Sequence, residues 1–245
     1  MKDDFQKYAV KHLNFPSTTV EAVANHQVNA SVGTPMILEE REMRATQMSV
    51  FDRLMLDRII TINGVVDERM SSIIQAQLLF LDSQEVKDIT MHISTPGGGV
   101  ISGLGIVDLM NYIKSDVKTV NLGLCASMGS VLLSSGTKGK RTSLISARTM
   151  LHHVSSGTQG VIDDQRVSLM ESEKYNYLLF KILAENTNNS FKKIHDDSNR
   201  DKWFNSDEAL KYGLIDEIVG INENNSINNL MDGFSDYYNE YVLNK

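Results

Sequence analysis

One serine stands in the setting that a nucleophile needs. Ser127 lies in Gly123-Leu-Cys-Ala-Ser-Met-Gly129, between small residues, after an apolar run and before a helix-like segment. A serine hydroxyl is a weak nucleophile until a neighbouring base takes its proton. A sharp strand-to-helix turn exposes the hydroxyl and aims backbone N–H groups at the place where negative charge develops. The first N–H groups of the predicted helix are free and its dipole is positive there, so both favour an oxyanion beside Ser127. An ordinary turn with an N-cap serine reads the same way, so the stretch alone does not establish catalysis. Upstream, Thr95-Pro-Gly-Gly-Gly99 forms a second turn between a strand and a helix. It does not match the dinucleotide fingerprint, and no Lys-Ser/Thr pair follows as in a phosphate-binding loop. Its glycines let a substrate backbone come close and present N–H donors, although a tight turn by itself also favours glycine.

A base and an acid must complete the set. The chain has six histidines. His12 and His26 fall in a weakly patterned N-terminal zone and read as surface residues. His195 lies near an acidic helix end and is expected to be solvated. His92 belongs to the strand before the glycine turn. His152 and His153 end a strand, where functional side chains emerge. Adjacent strand residues point to opposite faces, so one of the two can face Ser127. A histidine there accepts the serine proton and returns it to the leaving amine. For the acid, Asp196-Asp-Ser-Asn-Arg-Asp201 offers three aspartates. Asp196 and Asp197 read as solvated helix-end charges, while Asp201 precedes Lys202-Trp-Phe204 and is expected beside buried aromatics. Residue chemistry leaves the choice of histidine and of aspartate open.

The elements that must position these groups alternate. Strands are expected over Arg58–Asn63, Asp88–Ser94, Val117–Leu122, Arg141–Ile145 and Thr149–His152. Helices are expected over Val66–Leu81, with Met70, Ile73, Ile74 and Leu78 on one face, and over Val100–Ile113, with Leu104, Val107 and Met110 apolar. Further helices are expected over Ser127–Ser135, Val161–Ala184, Phe191–Asn199 and Ser206–Tyr212, the last ended by Gly213 as a C-cap. A final apolar run covers Leu214–Val219. Repeated strand–helix–strand units imply parallel strands joined by right-handed crossovers, an α/β fold. Residues 1–35 read as an N-terminal extension with a short helix over Phe5–Leu13, and residues 36–220 as the patterned domain. Residues 221–245 read as a polar tail with one short helix around Phe234–Val242.

Composition narrows the class. The chain has 245 residues, 41% of them apolar, a net charge of −7 and a pI near 5.4. That acidity argues against nucleic acid as the main partner. The single cysteine, Cys125, excludes an intrachain disulfide and fits a reducing compartment. No signal peptide and no membrane span are expected, and the cytoplasm is the expected location.

Taken together, in order and spacing, these motifs resemble the ClpP family (peptidase family S14), the proteolytic subunits of ATP-dependent Clp proteases. The resemblance rests on Ser94-Thr-Pro-Gly-Gly98, Gly123–Gly129, Gly136-Thr-Lys-Gly-Lys-Arg141, Met150-Leu-His152, Arg200-Asp201 and Glu208-Ala-Leu-Lys-Tyr-Gly-Leu-Ile-Asp216. It implies a crotonase-like spiral of strand–helix units with a protruding handle after His152. It implies Ser127 as nucleophile, His152 as general base, Asp201 as its orienter, and an oxyanion hole formed by the N–H groups of Gly98 and Met128. It also implies two stacked heptameric rings, with Arg200 placed for ring-to-ring ion pairs, and an AAA+ unfoldase that feeds in unfolded proteins. ATP is then spent by that partner, and the chain itself needs no metal or organic cofactor.

The chain departs from the family pattern at two places. The family's Gln-Pro after the histidine is replaced by His153-Val154, and Thr90, His92 and Thr142 stand where aromatics line the unfoldase-docking cleft. These departures leave a specialised or weakly active subunit of a mixed Clp ring as the alternative. An acyl-CoA-binding crotonase is opposed by the complete Ser127, His152 and Asp201 set. A serine–lysine signal-peptide peptidase would need an anchor or export signal that the sequence does not suggest.

Overall fold

The structure, a computed structural model, describes residues 36–41, 44–220, 227 and 231–243. The expected helix over residues 5–13 lies outside the described residues. The chain divides into two units after Asp57. In the first, strand β1 (Met36–Arg41) pairs antiparallel with β2 (Arg44–Ser49) and leads into helix α1 (Val50–Leu56). Ser49 caps that helix: its hydroxyl accepts from the Asp52 N–H at 3.0 Å, and the Asp52 carboxylate accepts from the Ser49 N–H at 3.2 Å. The hairpin is not among the elements expected from the sequence.

The second unit alternates strands and helices. It runs β3 (Ile59–Asn63), α2 (Glu68–Gln84), β4 (Ile89–Thr95), α3 (Val100–Tyr112), β5 (Val117–Ala126) and α4 (Met128–Ser134). It continues through β6 (Arg141–Leu144), β7 (Arg148–Leu151), α5 (Ile162–Thr187), α6 (Phe191–Asp197), β8 (Lys202–Phe204), α7 (Ser206–Tyr212) and β9 (Glu217–Val219). Helix α8 (Phe234–Tyr238) and one π-helical turn (Asn239–Leu243) follow near the C-terminus. Strands β3, β4, β5, β6 and β9 lie side by side in that order, all parallel. The α/β expectation holds, and β8 is the exception to parallel pairing, running antiparallel to β7.

Strand β4 shows why the residues choose this arrangement. Ile89, Met91, Ile93 and Thr95 are buried, while Thr90, His92 and Ser94 on the other face are half-exposed. Helix α2 buries Ser71, Ile74, Leu78 and Leu81, so the apolar face is rotated from the expected one, and Ile73 faces outward. Helix α3 buries Leu104, Val107 and Met110 as the spacing implies. Helix α5 buries only Leu179, Phe180, Leu183 and Thr187, all in its second half. Its first half carries exposed Val167, Leu169 and Met170.

Strand β5 is where the sheet forks. Its first half pairs with β6 and its second half with β7, and its register against β4 shifts between Ile93 and Thr95. The buried Asn121 serves this irregularity. Its amide donates to the Arg148 carbonyl at 3.0 Å and to the Thr149 hydroxyl at 3.3 Å, and its oxygen accepts from the Gly123 N–H at 3.0 Å. The extra residues of the bulge therefore leave these buried polar groups paired.

Two ionic clusters fasten the C-terminal elements. Arg141, almost fully buried on β6, bonds the Asp216 carboxylate with two nitrogens and reaches the carbonyls of Ser134 and Asn186. It so ties α4, α5 and the start of β9 together. Asp197 accepts from Lys193 at 2.8 Å, from the Tyr212 hydroxyl at 2.7 Å and from Lys202. Asp197 is therefore not the solvated charge expected from the sequence; its side chain is 21% exposed. Burial works to raise its pKa, but its three donors outweigh burial and hold it at about 2. The Tyr212 hydroxyl is pushed up, by burial first and by Asp197 second.

Asp216→Ala leaves a buried guanidinium unpaired, so it should cost about 3 kcal/mol, read as a lowered denaturation midpoint. Asp197 titrates lower in the folded chain than in the unfolded one. Its stabilisation is thus complete above about pH 4 and is lost as pH falls toward about 2. Asp197→Asn should lose about 2 kcal/mol at neutral pH and show a shallower acid limb than the parent chain in urea melts across that window. Parallel acid limbs would rule this role out.

Candidate active site

Ser127 closes β5 with φ 55° and ψ −121°, a backbone conformation that few residues other than glycine adopt. The strain is held from both sides. The Ser127 N–H donates to the Met150 carbonyl at 2.9 Å, which ties the turn to β7. The Ser127 carbonyl accepts from the Ser130 N–H at 3.0 Å and from its hydroxyl at 2.6 Å, which ties the turn to α4. The hydroxyl of Ser127 is left pointing into a cavity of about 230 Å³.

The glycine turn lies against this serine. The Thr95 hydroxyl donates to the Gly64 carbonyl at 2.6 Å and accepts from the Gly97 N–H at 3.0 Å. Val66 accepts from the Gly99 N–H at 2.7 Å and donates to the Gly97 carbonyl at 2.9 Å. Gly97 and Gly98 have φ of 96° and 153°. A Cβ on Gly97 would sit 2.7 Å from both the Ala126 oxygen and the Ser127 Cβ, and one on Gly98 would sit 2.3 Å from the Val66 oxygen. Glycine is required at both positions. The N–H groups of Gly98 and Met128 have no acceptor among the described residues, and both residues line the cavity with Ser127.

His152 follows β7. Its Nε2 lies 2.7 Å from Ser127 Oγ, and its Nδ1 lies 3.4 Å from an Asp201 carboxylate oxygen. Asp201 reaches it because β8 pairs antiparallel with β7, setting Lys202 opposite Leu151, and because the His153 N–H donates to the Ser198 carbonyl at 3.1 Å. The carboxylate is 61% exposed. Of the two aromatics that follow Asp201 in sequence, Phe204 is buried and Trp203 is exposed.

Ser127, His152, Gly98 and Met128 thus meet at one cavity, and Asp201, which lines a neighbouring cavity, reaches His152 from there. His153 turns away and packs edge to face on Phe180, with its Nδ1 3.1 Å from the Asn176 amide. His195 is exposed, as expected, with its ring edge to face on His153 and its Nδ1 3.3 Å from an Asp196 carboxylate oxygen. His92 lies on the other side of the sheet, in register with Val120 and Thr142, and burial pushes its pKa down. His12 and His26 fall outside the described residues. Asn121 and Asn176 are positioning residues that motif reading passes over. Asn121 was signalled by its place as a polar residue inside an apolar strand run, whereas nothing local to Asn176 marks it.

Among the described residues, no group of three or more His, Cys, Asp or Glu side chains is arranged as metal ligands would be. No helix among them is long and apolar enough to cross a membrane.

Comparison with known proteins agrees with this geometry. The Clp protease family matches residues 40–222. The ATP-dependent Clp protease proteolytic subunit of Bacteroides fragilis is 45% identical over 218 residues, covering 89% of this chain and 98% of the relative. Its counterpart from Porphyromonas gingivalis is 40% identical over 218 residues, covering 89% and 97%. The Streptococcus agalactiae protein of the same description is 44% identical over 196 residues, covering 79% and 98%. A nucleophile turn, a glycine turn and a His–Asp pair on one parallel α/β sheet, with identity at this level over nearly whole relatives, lead to one conclusion: the chain belongs to the Clp protease family and is a serine peptidase of the Clp type, the peptidase core of an ATP-dependent Clp protease.

Proposed function

We propose that Ser127, His152 and Asp201 carry peptide hydrolysis as nucleophile, general base and orienting acid, with the N–H groups of Gly98 and Met128 as the oxyanion hole. The observation that carries this reading is the 2.7 Å contact between His152 Nε2 and Ser127 Oγ at a serine held in a strained turn. The neutral imidazole keeps its proton on Nδ1, facing Asp201, so Nε2 is free to accept. Ser127 Oγ attacks the peptide carbonyl carbon as its proton passes to Nε2. The carbonyl electron pair moves onto oxygen, where the two N–H donors meet it. Collapse expels the amine, which takes the proton from Nε2 and leaves an acyl-enzyme on Ser127. Water then attacks, gives its proton to Nε2, and the carboxylic product leaves as Ser127 regains its proton. No step calls for a metal or organic cofactor.

The wider reading is a chambered particle of two stacked heptameric rings in the cytoplasm, served by an AAA+ unfoldase that spends ATP to deliver unfolded proteins. The exposed apolar residues of the first half of α5, among them Val167 and Met170, support a role as handle between rings. The half-exposed sheet face around Thr90, His92 and Thr142 is polar at its centre. Apolar docking loops should therefore bind it weakly.

Ser127→Ala should lower cleavage of a fluorogenic peptide by about a thousandfold or more while particle mass, read on the same sample, stays unchanged. Cleavage at the parent rate would remove Ser127 from the mechanism, and a mass below that of a ring would count against the chamber. Thr90→Tyr combined with His92→Tyr should raise unfoldase-dependent degradation and leave peptide cleavage unchanged. No gain would show that this face does not limit docking.

A further inference from the structure

We propose that Thr95 is a positioning residue for the oxyanion hole, holding its two N–H donors at their working separation. This rests on the reading of Gly98 and Met128 as those donors. The two N–H groups belong to different elements: Gly98 to the turn after β4, and Met128 to the first residue of α4. The oxygen of a tetrahedral intermediate needs both at once, so its stabilisation depends on how the turn and the helix are held against each other. Thr95 touches both. It ends β4, is fully buried, and pairs with Cys125 on the shifted half of β5.

Each arm of the Thr95 side chain fixes one side. The hydroxyl accepts from the Gly97 N–H at 3.0 Å and donates to the Gly64 carbonyl at 2.6 Å. The Gly97 carbonyl accepts from the Val66 N–H at 2.9 Å. With both polar groups of Gly97 engaged, the turn holds the following residue, Gly98, at the wall of the cavity. The γ-methyl of Thr95 lies over Gly129, where an added Cβ would come within 2.6 Å of it. Gly129 follows Met128 directly, so this contact limits how closely the first turn of α4 approaches the glycine turn. Thr95→Val keeps the shape and loses the hydroxyl, whereas Thr95→Ser keeps the hydroxyl and loses the methyl.

The test compares these variants with the parent full chain on a fluorogenic peptide and on two inhibitors. One is a peptide boronic acid, which forms a tetrahedral adduct on Ser127, and the other is the same peptide as its carboxamide, which forms none. Thr95→Val should lower kcat by about tenfold to a hundredfold and leave KM within about twofold. Boronate affinity should fall by a factor close to that of kcat/KM while carboxamide affinity holds, because only the adduct draws on the two donors. Thr95→Ser should lose less than Thr95→Val. Gly129→Ala should lower kcat in the same manner, and adding Thr95→Ser to it should recover part of the loss, since removing the methyl makes room for the new carbon. Where Thr95→Val fails to fold, Thr95→Ser and Gly129→Ala read the same quantities. A parent kcat in folded Thr95→Val, or equal losses of boronate and carboxamide affinity, would overturn the proposal. Failure of the underlying reading shows separately, as a parent chain that binds the boronate no more tightly than the carboxamide.

Discussion

The structure depends on one close approach of two backbones. The glycine turn at Gly97–Gly98 lies against the Ala126–Ser127 turn at distances that exclude a single additional carbon atom. Everything near the site follows from making that contact possible. Thr95 and Val66 lock the glycine turn from below. The bulge in β5, satisfied by Asn121, lifts the second half of that strand out of register with the first. The lifted half finds a new partner in β7 instead of β6, and β7 is the strand that brings His152. The two turns and the histidine are therefore consequences of the same irregularity in one sheet. Donors fixed in this way need no reorganisation when charge appears, which is where such sites gain most of their rate.

Much of this was legible in the sequence. Period-two alternation marked β4, and period-3.6 spacing marked α3, because both elements bury one face only. Small residues around Ser127 and the run of glycines announced tight turns because backbone conformation itself demands those residue types. The pairing of distant elements was not legible in the same way. Residue chemistry could not choose between His152 and His153, because the choice depends on which way the strand end faces. Nor could it choose among Asp196, Asp197 and Asp201, because the answer lies in the register of a three-residue strand, β8, against β7. The resemblance to a known family supplied what local physics left open.

The sequence misled where exposure depends on tertiary packing. Asp197 looked like a helix-end charge, yet Lys193, Lys202 and Tyr212 converge on it from three elements. Ile73 looked like part of a buried stripe, yet α2 buries Ser71, Ile74, Leu78 and Leu81 and leaves Ile73 exposed. A helix presents more apolar residues than its contact face uses, and only the neighbouring element decides which of them are buried.

The antiparallel strand β8 carries a consequence for how activity can be lost. It is three residues long, and it is what holds Asp201 against His152. The nucleophile turn and the glycine turn are secured by other strands. An opening confined to β8 and its flanking loop would strip the imidazole of its acid while most of the core stayed closed. Amide hydrogen exchange would see it as a subglobal event. The Ser127, His152 and Asp201 arrangement thus rests on turns secured by the central strands and on one three-residue strand that carries the carboxylate.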